Sequence, residues 1–152
     1  AITLAKALGN GFPMGALVAR PDIAEAFAPG SHASTFGGNP LAVAASLATF
    51  SVMVEEDVPK MSRETGAYLQ AEIEEMKRLH PSIKEIRGKG LLIGIEFDAD
   101  ISSLPKDGLA KGAILNVVQK NILRLVPPLV ISKGECDEAV SIIDALLKEK
   151  GL

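Results

Sequence analysis

The chain has 152 residues, 47% of them hydrophobic and 4% aromatic, with no Trp and a net charge of −3. This length and composition suit about one domain with an aliphatic core, which is typical of α/β layers. They argue against a transmembrane helix, because no run of about 18 apolar residues occurs, and against nucleic-acid binding, because no basic stripe occurs. The single cysteine, Cys136, excludes an internal disulfide and favours a reducing compartment.

The first 38 residues predict short strands and glycine-rich loops. Residues 1–4, Ala-Ile-Thr-Leu, are typical of the tail of a buried strand and have no Met or polar leader before them, so we expect a fragment of a longer protein. Residues 9–13, Gly-Asn-Gly-Phe-Pro, predict a turn, and residues 15–19 predict a second short buried strand. Pro21 predicts the start of a short helix through Phe27.

Two long helices are predicted next. Asn39 as N-cap and Pro40 as first helical residue predict a helix that runs to about Glu55. Ala, Leu and Val occupy nearly every face of this helix, so we expect it to be buried on most sides or to lie in an interface. An amphipathic helix is predicted from about Val58 to His80, where Pro81 ends it.

The remainder predicts a small α+β unit. Strands are predicted at residues 83–87, 91–97, 113–118 and 122–126, with a short helix at 106–111. Ser132 and Glu135 form a capping box that predicts the start of the last helix. We place the domain boundary within the first long helix, near residues 48–55, which leaves a compact unit of about 100 residues after it.

Two segments carry candidate chemistry. Residues 3–16 place Lys6 directly after an apolar strand, where α/β proteins often bind ligands, and the neighbouring glycine turn would help to desolvate its amine. For an isolated lysine, a solvated side chain at a strand edge is the commoner alternative. Residues 30–40 place Ser34 and Thr35 beside glycines that lead into a helix N-terminus, which favours a phosphate. The alternative is a capped loop that binds nothing.

Taken together, these segments resemble class III, ornithine-type aminotransferases, which use pyridoxal 5′-phosphate (PLP). The family carries a Lys-x-Leu-Gly-x-Gly-x-Pro-x-Gly-Ala block and, further along, a His-x-Ser-Thr-(Phe/Tyr)-Gly-Gly-Asn-Pro-Leu-Ala block, and both are present here. The resemblance implies that Lys6 binds PLP covalently and that Ser34 and Thr35 bind its phosphate. It further implies that Thr35 serves the neighbouring subunit of a homodimer.

Two downstream segments extend the resemblance over essentially the whole chain. Residues 86–96 resemble the family's Arg-Gly-x-Gly-Leu strand, and residues 121–129 resemble its Arg-(Leu/Phe)-x-Pro-Pro-Leu block. The second block implies that Arg124 holds the substrate α-carboxylate or pairs with an active-site glutamate, which suits the two parallel hydrogen bonds of a guanidinium. A surface salt bridge is the alternative for Arg124. We interpret Arg87 as structural, His32 as a hydrogen bonder that shapes its loop, and Cys136 as packing, and we expect no metal site.

The resemblance also implies an architecture and an activity. Residues 1–50 would be the end of the large PLP-binding domain of an aspartate aminotransferase-like, fold type I transferase, and residues 51–152 its C-terminal small α+β domain. Segments 30–36 and 115–124 are most similar to the acetylornithine branch, which transfers an amino group from N-acetylornithine to 2-oxoglutarate in arginine biosynthesis. Ornithine, succinylornithine and 4-aminobutyrate enzymes share most of these blocks.

Other family elements lie upstream of the cofactor lysine. They are the acid that meets the pyridine nitrogen, a second phosphate turn and the aromatic residue that stacks on the ring. We therefore expect this chain alone to be inactive and to bind PLP poorly, and we expect a cytoplasmic enzyme for the full-length protein. A non-catalytic interaction domain derived from an aminotransferase is the alternative of a different class.

Overall fold

The structure is a computed structural model that describes all residues 1–152 and divides them into two compact units, residues 1–57 and 58–152. The division follows the end of the first long helix, whereas the sequence predicted a boundary within that helix. The assignment of residues 1–50 and 51–152 to two domains of a larger enzyme stays a prediction.

Unit 1 consists of a two-stranded ribbon, a 3₁₀ turn and two helices. Its elements are β1 (Ile2–Leu4), the 3₁₀ turn (Lys6–Gly9), β2 (Ala16–Val18), α1 (Pro21–Ala24) and α2 (Pro40–Glu55). Strands β1 and β2 pair antiparallel. A proline at the start of each helix sets the backbone for the first turn, as the sequence predicted.

Unit 1 has almost no core of its own. Helix α2 packs against the 3₁₀ turn, and it buries only Ala42 and Ser46. Its large side chains point outward; for example, Leu47 is 63% exposed and Val54 is 77% exposed. The expectation that the two strands are buried is therefore wrong for this chain, because a ribbon and two helices provide no layer to cover them. Helix α2 is not buried on most sides within the chain, and its other predicted setting, an interface, stays a prediction.

Unit 2 is an antiparallel sheet with helices. Its elements are α3 (Val58–Lys77), β3 (Ile83–Lys89), β4 (Leu92–Phe97), α4 (Leu104–Ala110), β5 (Asn116–Val118), β6 (Ile122–Leu125) and α5 (Lys133–Lys150). The strand order is β3-β4-β6-β5, and each neighbouring pair is antiparallel. The sequence predicted every one of these elements, with ends that differ by a few residues.

The core of unit 2 lies between one face of this sheet and helices α3 and α5. Alternate residues of β4, namely Ile93, Ile95 and Phe97, are at most 1% exposed, which is the period of a strand with one buried face. They join one buried cluster with residues of both helices, such as Ile73 and Ile143. The opposite sheet face therefore carries the polar residues of β3, β4 and β6.

Two close contacts fix the helices of unit 2. A Cβ atom on Gly66 would lie 2.3 Å from the carbonyl carbon of Gly90, so α3 approaches the β3–β4 turn more closely than any side chain allows. His80, after α3, contacts the Leu152 carbonyl through Nδ1 and donates from Nε2 to Asp144 Oδ1 on α5 at 2.8 Å.

The predicted capping box of Ser132 and Glu135 is present. No helix has both the length and the apolar character needed to cross a membrane.

Candidate active site

Lys6 is the first residue of the 3₁₀ turn that follows β1. Its φ angle is 55°, in the left-handed region that side chains other than glycine seldom adopt. Such a residue costs on the order of 1–3 kcal/mol and persists only where its surroundings determine it. Here the turn is closed by the Leu8 N–H, which donates to the Ala5 carbonyl, and by the Asn10 N–H, which donates to the Ala7 carbonyl. The turn therefore sets the direction in which the Lys6 side chain projects from the backbone.

The Lys6 amine has no polar partner in this chain. It makes no hydrogen bond and no ion pair, and the residue is exposed. The expectation that its surroundings desolvate it is therefore wrong for residues 1–152. Gly9 is the one buried residue of the turn, and Met14 and Phe12 pack over it. The glycine turn shapes the backbone here without covering the lysine.

Ser34 and Thr35 lie in an exposed loop that leads into α2. Neither hydroxyl makes a hydrogen bond within the chain, so both are available to a ligand. A Cβ atom on Gly37 would lie in tight contact with the Ser34 Cβ, at 3.0 Å, and Gly38 has a φ angle of 69°, in the left-handed region that favours glycine. The turn delivers the loop to the N-terminus of a 16-residue helix, which favours an anion.

The residues of unit 1 fit PLP by their chemistry. An amine without an ion pair can react with the cofactor's aldehyde, while two free hydroxyls beside a helix N-terminus can bind its phosphate.

Arg124 lies in unit 2, at the centre of its sheet. It is in β6, paired with Gly94 of β4 on one side and Asn116 of β5 on the other. It forms no ion pair within the chain, so the surface salt bridge considered as its alternative is absent. It borders a cleft of about 620 Å³ that is lined mainly by apolar side chains, including Val126 and Ile142. An unpaired guanidinium beside an apolar cleft suits a ligand that has a carboxylate.

Arg87 differs from Arg124 because its charge is already paired. Its guanidinium donates to Glu85 on its own strand and to Glu96 on β4. The hydrogen bond with Glu96 is the main cause that raises the pKa of Arg87. Arg87 therefore ties β3 to β4, as the structural interpretation predicted.

Three further side chains are of types that often take part in catalysis. His32 is exposed and makes no hydrogen bond within the chain, so its predicted loop-shaping bond is absent. Cys136 is fully buried in the core, where desolvation raises its pKa. Tyr68 donates to Asp137 Oδ1 at 2.6 Å, which raises its pKa to about 12, and Lys133 lies 4.9 Å from its ring centre. Cys136 and Tyr68 therefore serve packing and the contact between α3 and α5.

Comparison with known proteins decides the family. The model of the class-III aminotransferases matches residues 1–147, which is nearly the whole chain. The chain belongs to the class-III aminotransferase family. The predicted family is thus confirmed, on a match that includes Lys6, Ser34, Thr35 and Arg124.

Individual class-III relatives agree in sequence and fold. The chain is 46% identical over 149 residues to an acetylornithine aminotransferase of Caldanaerobacter subterraneus, covering 97% of this chain and 38% of that protein. It is 42% identical over 144 residues to an ornithine aminotransferase of Staphylococcus epidermidis, covering 94% of this chain and 36% of that protein. The solved acetylornithine aminotransferase of Elizabethkingia anophelis superposes with a TM-score of 0.87 at 35% identity, over 97% of this chain and 40% of that one.

These matches confirm the α/β fold class and also show how much of the family's fold this chain contains. The solved neighbours are PLP-dependent, fold type I aminotransferases, and the chain has the fold of part of them. It spans less than two fifths of the length of the curated relatives described above.

Asn39 of this class-III chain makes two side-chain hydrogen bonds, one of which the sequence predicted. Asn39 was predicted as the N-cap of α2, and its Oδ1 does accept from the Ala42 N–H at 2.9 Å. Its Nδ2 also donates to the Phe36 carbonyl, at 2.9 Å. The Gly-Gly-Asn-Pro pattern signals a capped turn, but the second bond depends on the loop conformation.

Proposed function

We propose that the full-length protein is a PLP-dependent transaminase that moves an amino group from N-acetylornithine to 2-oxoglutarate in arginine biosynthesis. The observation that carries the proposal is the class-III match over residues 1–147, which contains both Lys6 and the Ser34–Thr35 loop. The choice of donor is supported by the relative that is 46% identical and is named an acetylornithine aminotransferase.

The residues of this chain would have three roles. The Lys6 amine would bind the cofactor covalently and, once free, would move the proton at the carbon that carries the transferred amino group, which in N-acetylornithine is the δ-carbon because the α-amine is acylated. The hydroxyls of Ser34 and Thr35, with the N-terminus of α2, bind the phosphate. Arg124 grips the substrate carboxylate through two parallel hydrogen bonds. PLP itself, when bound, supplies the electron sink for the reaction.

We further infer a homodimer and a cytoplasmic location for the full-length enzyme. The exposed loop that carries Thr35 and the exposed apolar side chains of α2 support an assembly in which other surfaces cover unit 1. The reaction would use a small amino acid and a 2-oxo acid, without nucleic acid or membrane. Sedimentation of the full-length protein at several concentrations tests the dimer.

Two alternatives remain beside this proposal. Ornithine is the donor named for the relative that is 42% identical, and succinylornithine and 4-aminobutyrate are chemically related donors. A non-catalytic interaction domain is favoured by one observation, the exposed apolar surface of α2. Under that alternative Lys6 would have no catalytic role.

The deciding experiment assays the full-length protein with 2-oxoglutarate and each of N-acetylornithine, ornithine and 4-aminobutyrate. We expect the highest kcat/KM with N-acetylornithine, and a loss of roughly 10²- to 10⁴-fold or more in Lys6→Ala. Lys89→Ala is the matched control, because Lys89 is also exposed and makes no ion pair. Turnover that survives Lys6→Ala would refute the assignment of Lys6, and no turnover with any donor would favour the interaction domain.

The 152-residue chain by itself should not catalyse the reaction. Lys6 and Thr35 are exposed in it, and it spans 38% of a curated relative, so most of a pocket is missing. Mixing the purified chain with PLP should give no stable visible absorbance band and no turnover. A strong band that is lost in Lys6→Ala, together with turnover, would contradict this expectation.

A further inference from the structure

We propose that Asn39 is a positioning residue that fixes the loop of residues 34–38 and thereby presents the Thr35 hydroxyl to the cofactor phosphate. The inference rests on the proposed function, since it assumes that Thr35 binds that phosphate. It goes further by assigning to Asn39 a role that capping a helix does not include.

The hydrogen bonds of this loop all come from one residue. Among residues 32–38, the Phe36 carbonyl is the only group that takes part in a hydrogen bond, and it accepts two. One comes from the Asn39 backbone N–H at 3.4 Å and the other from the Asn39 Nδ2 at 2.9 Å. Asn39 is therefore the only residue that forms hydrogen bonds with the peptide group between Phe36 and Gly37.

The Asn39 side chain is itself anchored to α2. Its Oδ1 accepts from the Ala42 N–H at 2.9 Å, so the amide joins the loop to the first turn of the helix. The two partners fix which way the amide points, because a backbone N–H needs the oxygen and a carbonyl needs the NH₂ group. A carboxylate could not donate to the carbonyl, and a hydroxyl is too short to reach both partners.

The rest of the loop offers little other restraint. Phe36 is 81% exposed and makes no packing contribution that could hold the turn. Gly37 lies against the Ser34 side chain, and Gly38 adopts a left-handed conformation, so these residues permit the turn. Glycine permits many other conformations as well. The hydrogen bond from Asn39 Nδ2 is thus the side-chain contact that selects the observed loop conformation. Thr35 directly precedes Phe36, whose carbonyl this bond holds.

Two substitutions separate the cap from the loop contact. Asn39→Ser keeps an acceptor of about equal capping strength for the Ala42 N–H but loses the side-chain bond to the Phe36 carbonyl. Asn39→Ala loses both side-chain bonds, and both variants keep the backbone N–H of residue 39 that donates to the same carbonyl. A residue that only caps α2 would be replaced by serine without any effect, whereas a positioning residue would not.

The test uses the full-length protein, freed of cofactor, with PLP as the titrated ligand. We expect Asn39→Ser and Asn39→Ala each to raise the dissociation constant roughly three- to tenfold, the factor expected for one lost neutral hydrogen bond. The melting temperature without PLP should fall in Asn39→Ala and stay near the original value in Asn39→Ser. Hydrogen exchange of the backbone amide of residue 39, whose N–H donates to the Phe36 carbonyl, should be faster in both variants.

Thr35→Val separates this inference from the proposed function. It should weaken PLP binding, and adding Asn39→Ser to it should weaken binding little further, because Asn39 acts through Thr35. Wild-type affinity in Asn39→Ser, with weakened binding in Thr35→Val, overturns the role of Asn39 and leaves the proposed function intact. Wild-type affinity in Thr35→Val overturns the phosphate role of Thr35 and the inference with it.

Discussion

The two compact units of the chain differ in what they contain. Unit 1 carries Lys6, Ser34 and Thr35, yet Ala42 is the only apolar side chain that it buries. Unit 2 carries the buried sheet and helix side chains of a complete core, and its candidate residue, Arg124, lies outside that core. The candidate cofactor-binding residues of this chain are therefore concentrated in the unit with the smaller core.

The difference shows that the two units depend on different interactions. Unit 1 is shaped by local signals, namely proline at helix starts, glycine in turns and the cap of α2. Unit 2 is shaped by burial, since its strands and helices alternate around shared apolar contacts. Substitutions should therefore lower the stability of the 152-residue chain mainly when they fall in unit 2.

The largest expected effect compares two phenylalanines. Phe97 is 1% exposed in the core of unit 2, whereas Phe50 is 46% exposed on α2. Phe97→Ala should lower the free energy of unfolding of the chain by about 3–5 kcal/mol, since it leaves a cavity. Phe50→Ala should change it by no more than about 0.5 kcal/mol. Urea unfolding measures both, and equal effects would remove the distinction between the units.

A smaller effect is expected from close packing inside unit 2. In Gly66→Ala the new Cβ atom meets the Gly90 backbone at 2.3 Å, and neither backbone can move freely. We expect a loss of about 1–3 kcal/mol in the free energy of unfolding. The matched control is Gly134→Ala on α5, where no atom lies within 4 Å of the added Cβ. If Gly66→Ala is as harmless as the control, the close approach of α3 to the β3–β4 turn is incorrect.

The smallest effect depends on pH. Asp144 accepts hydrogen bonds from His80 and from Lys148, and these bonds, the one from His80 first, lower its pKa. A lowered pKa means that the stabilisation is complete above the ordinary aspartate pKa of about 3.9 and is lost as the pH falls through the lowered value. Asp144→Asn should therefore lower stability by about 1 kcal/mol at pH 7 and by less in strong acid.

The control for this pH effect is Glu74→Gln, which removes a charge from an exposed residue of α3 that has no ion pair. It should leave the dependence of stability on pH nearly unchanged. An Asp144→Asn profile that runs parallel to that of the unsubstituted chain would show that the contacts of Asp144 with His80 and Lys148 contribute no pH-dependent stability.

Much of this fold could be predicted from the sequence because its signals are local. Helix starts are indicated by short local patterns, here Asn39-Pro40 and the capping box of Ser132 and Glu135. A half-buried strand is indicated by the apolar residues that recur at every second position of β4. The sequence left open whether α2 is covered by its own chain or lies in an interface, since an apolar helix implies a covering layer but does not say which polypeptide segment provides it.

The candidate site was predictable in its residue types but less so in its geometry. The motifs and the family resemblance indicated Lys6, Ser34, Thr35 and Arg124. The left-handed backbone of Lys6, the missing ion pair of Arg124 and the second hydrogen bond of Asn39 depend on contacts that form only in the folded chain. Side-chain pairing and exposure are properties of the three-dimensional arrangement, so no local pattern specifies them.

The most direct test of the central claim, that Lys6 is the cofactor lysine, is reductive trapping. The full-length protein is incubated with PLP, reduced with borohydride, digested and analysed by mass spectrometry. We predict that the cofactor is found on the peptide that contains Lys6 and is lost from the protein in Lys6→Ala. Trapping on other lysines to the same extent in both proteins, or no trapping on Lys6, would contradict the claim.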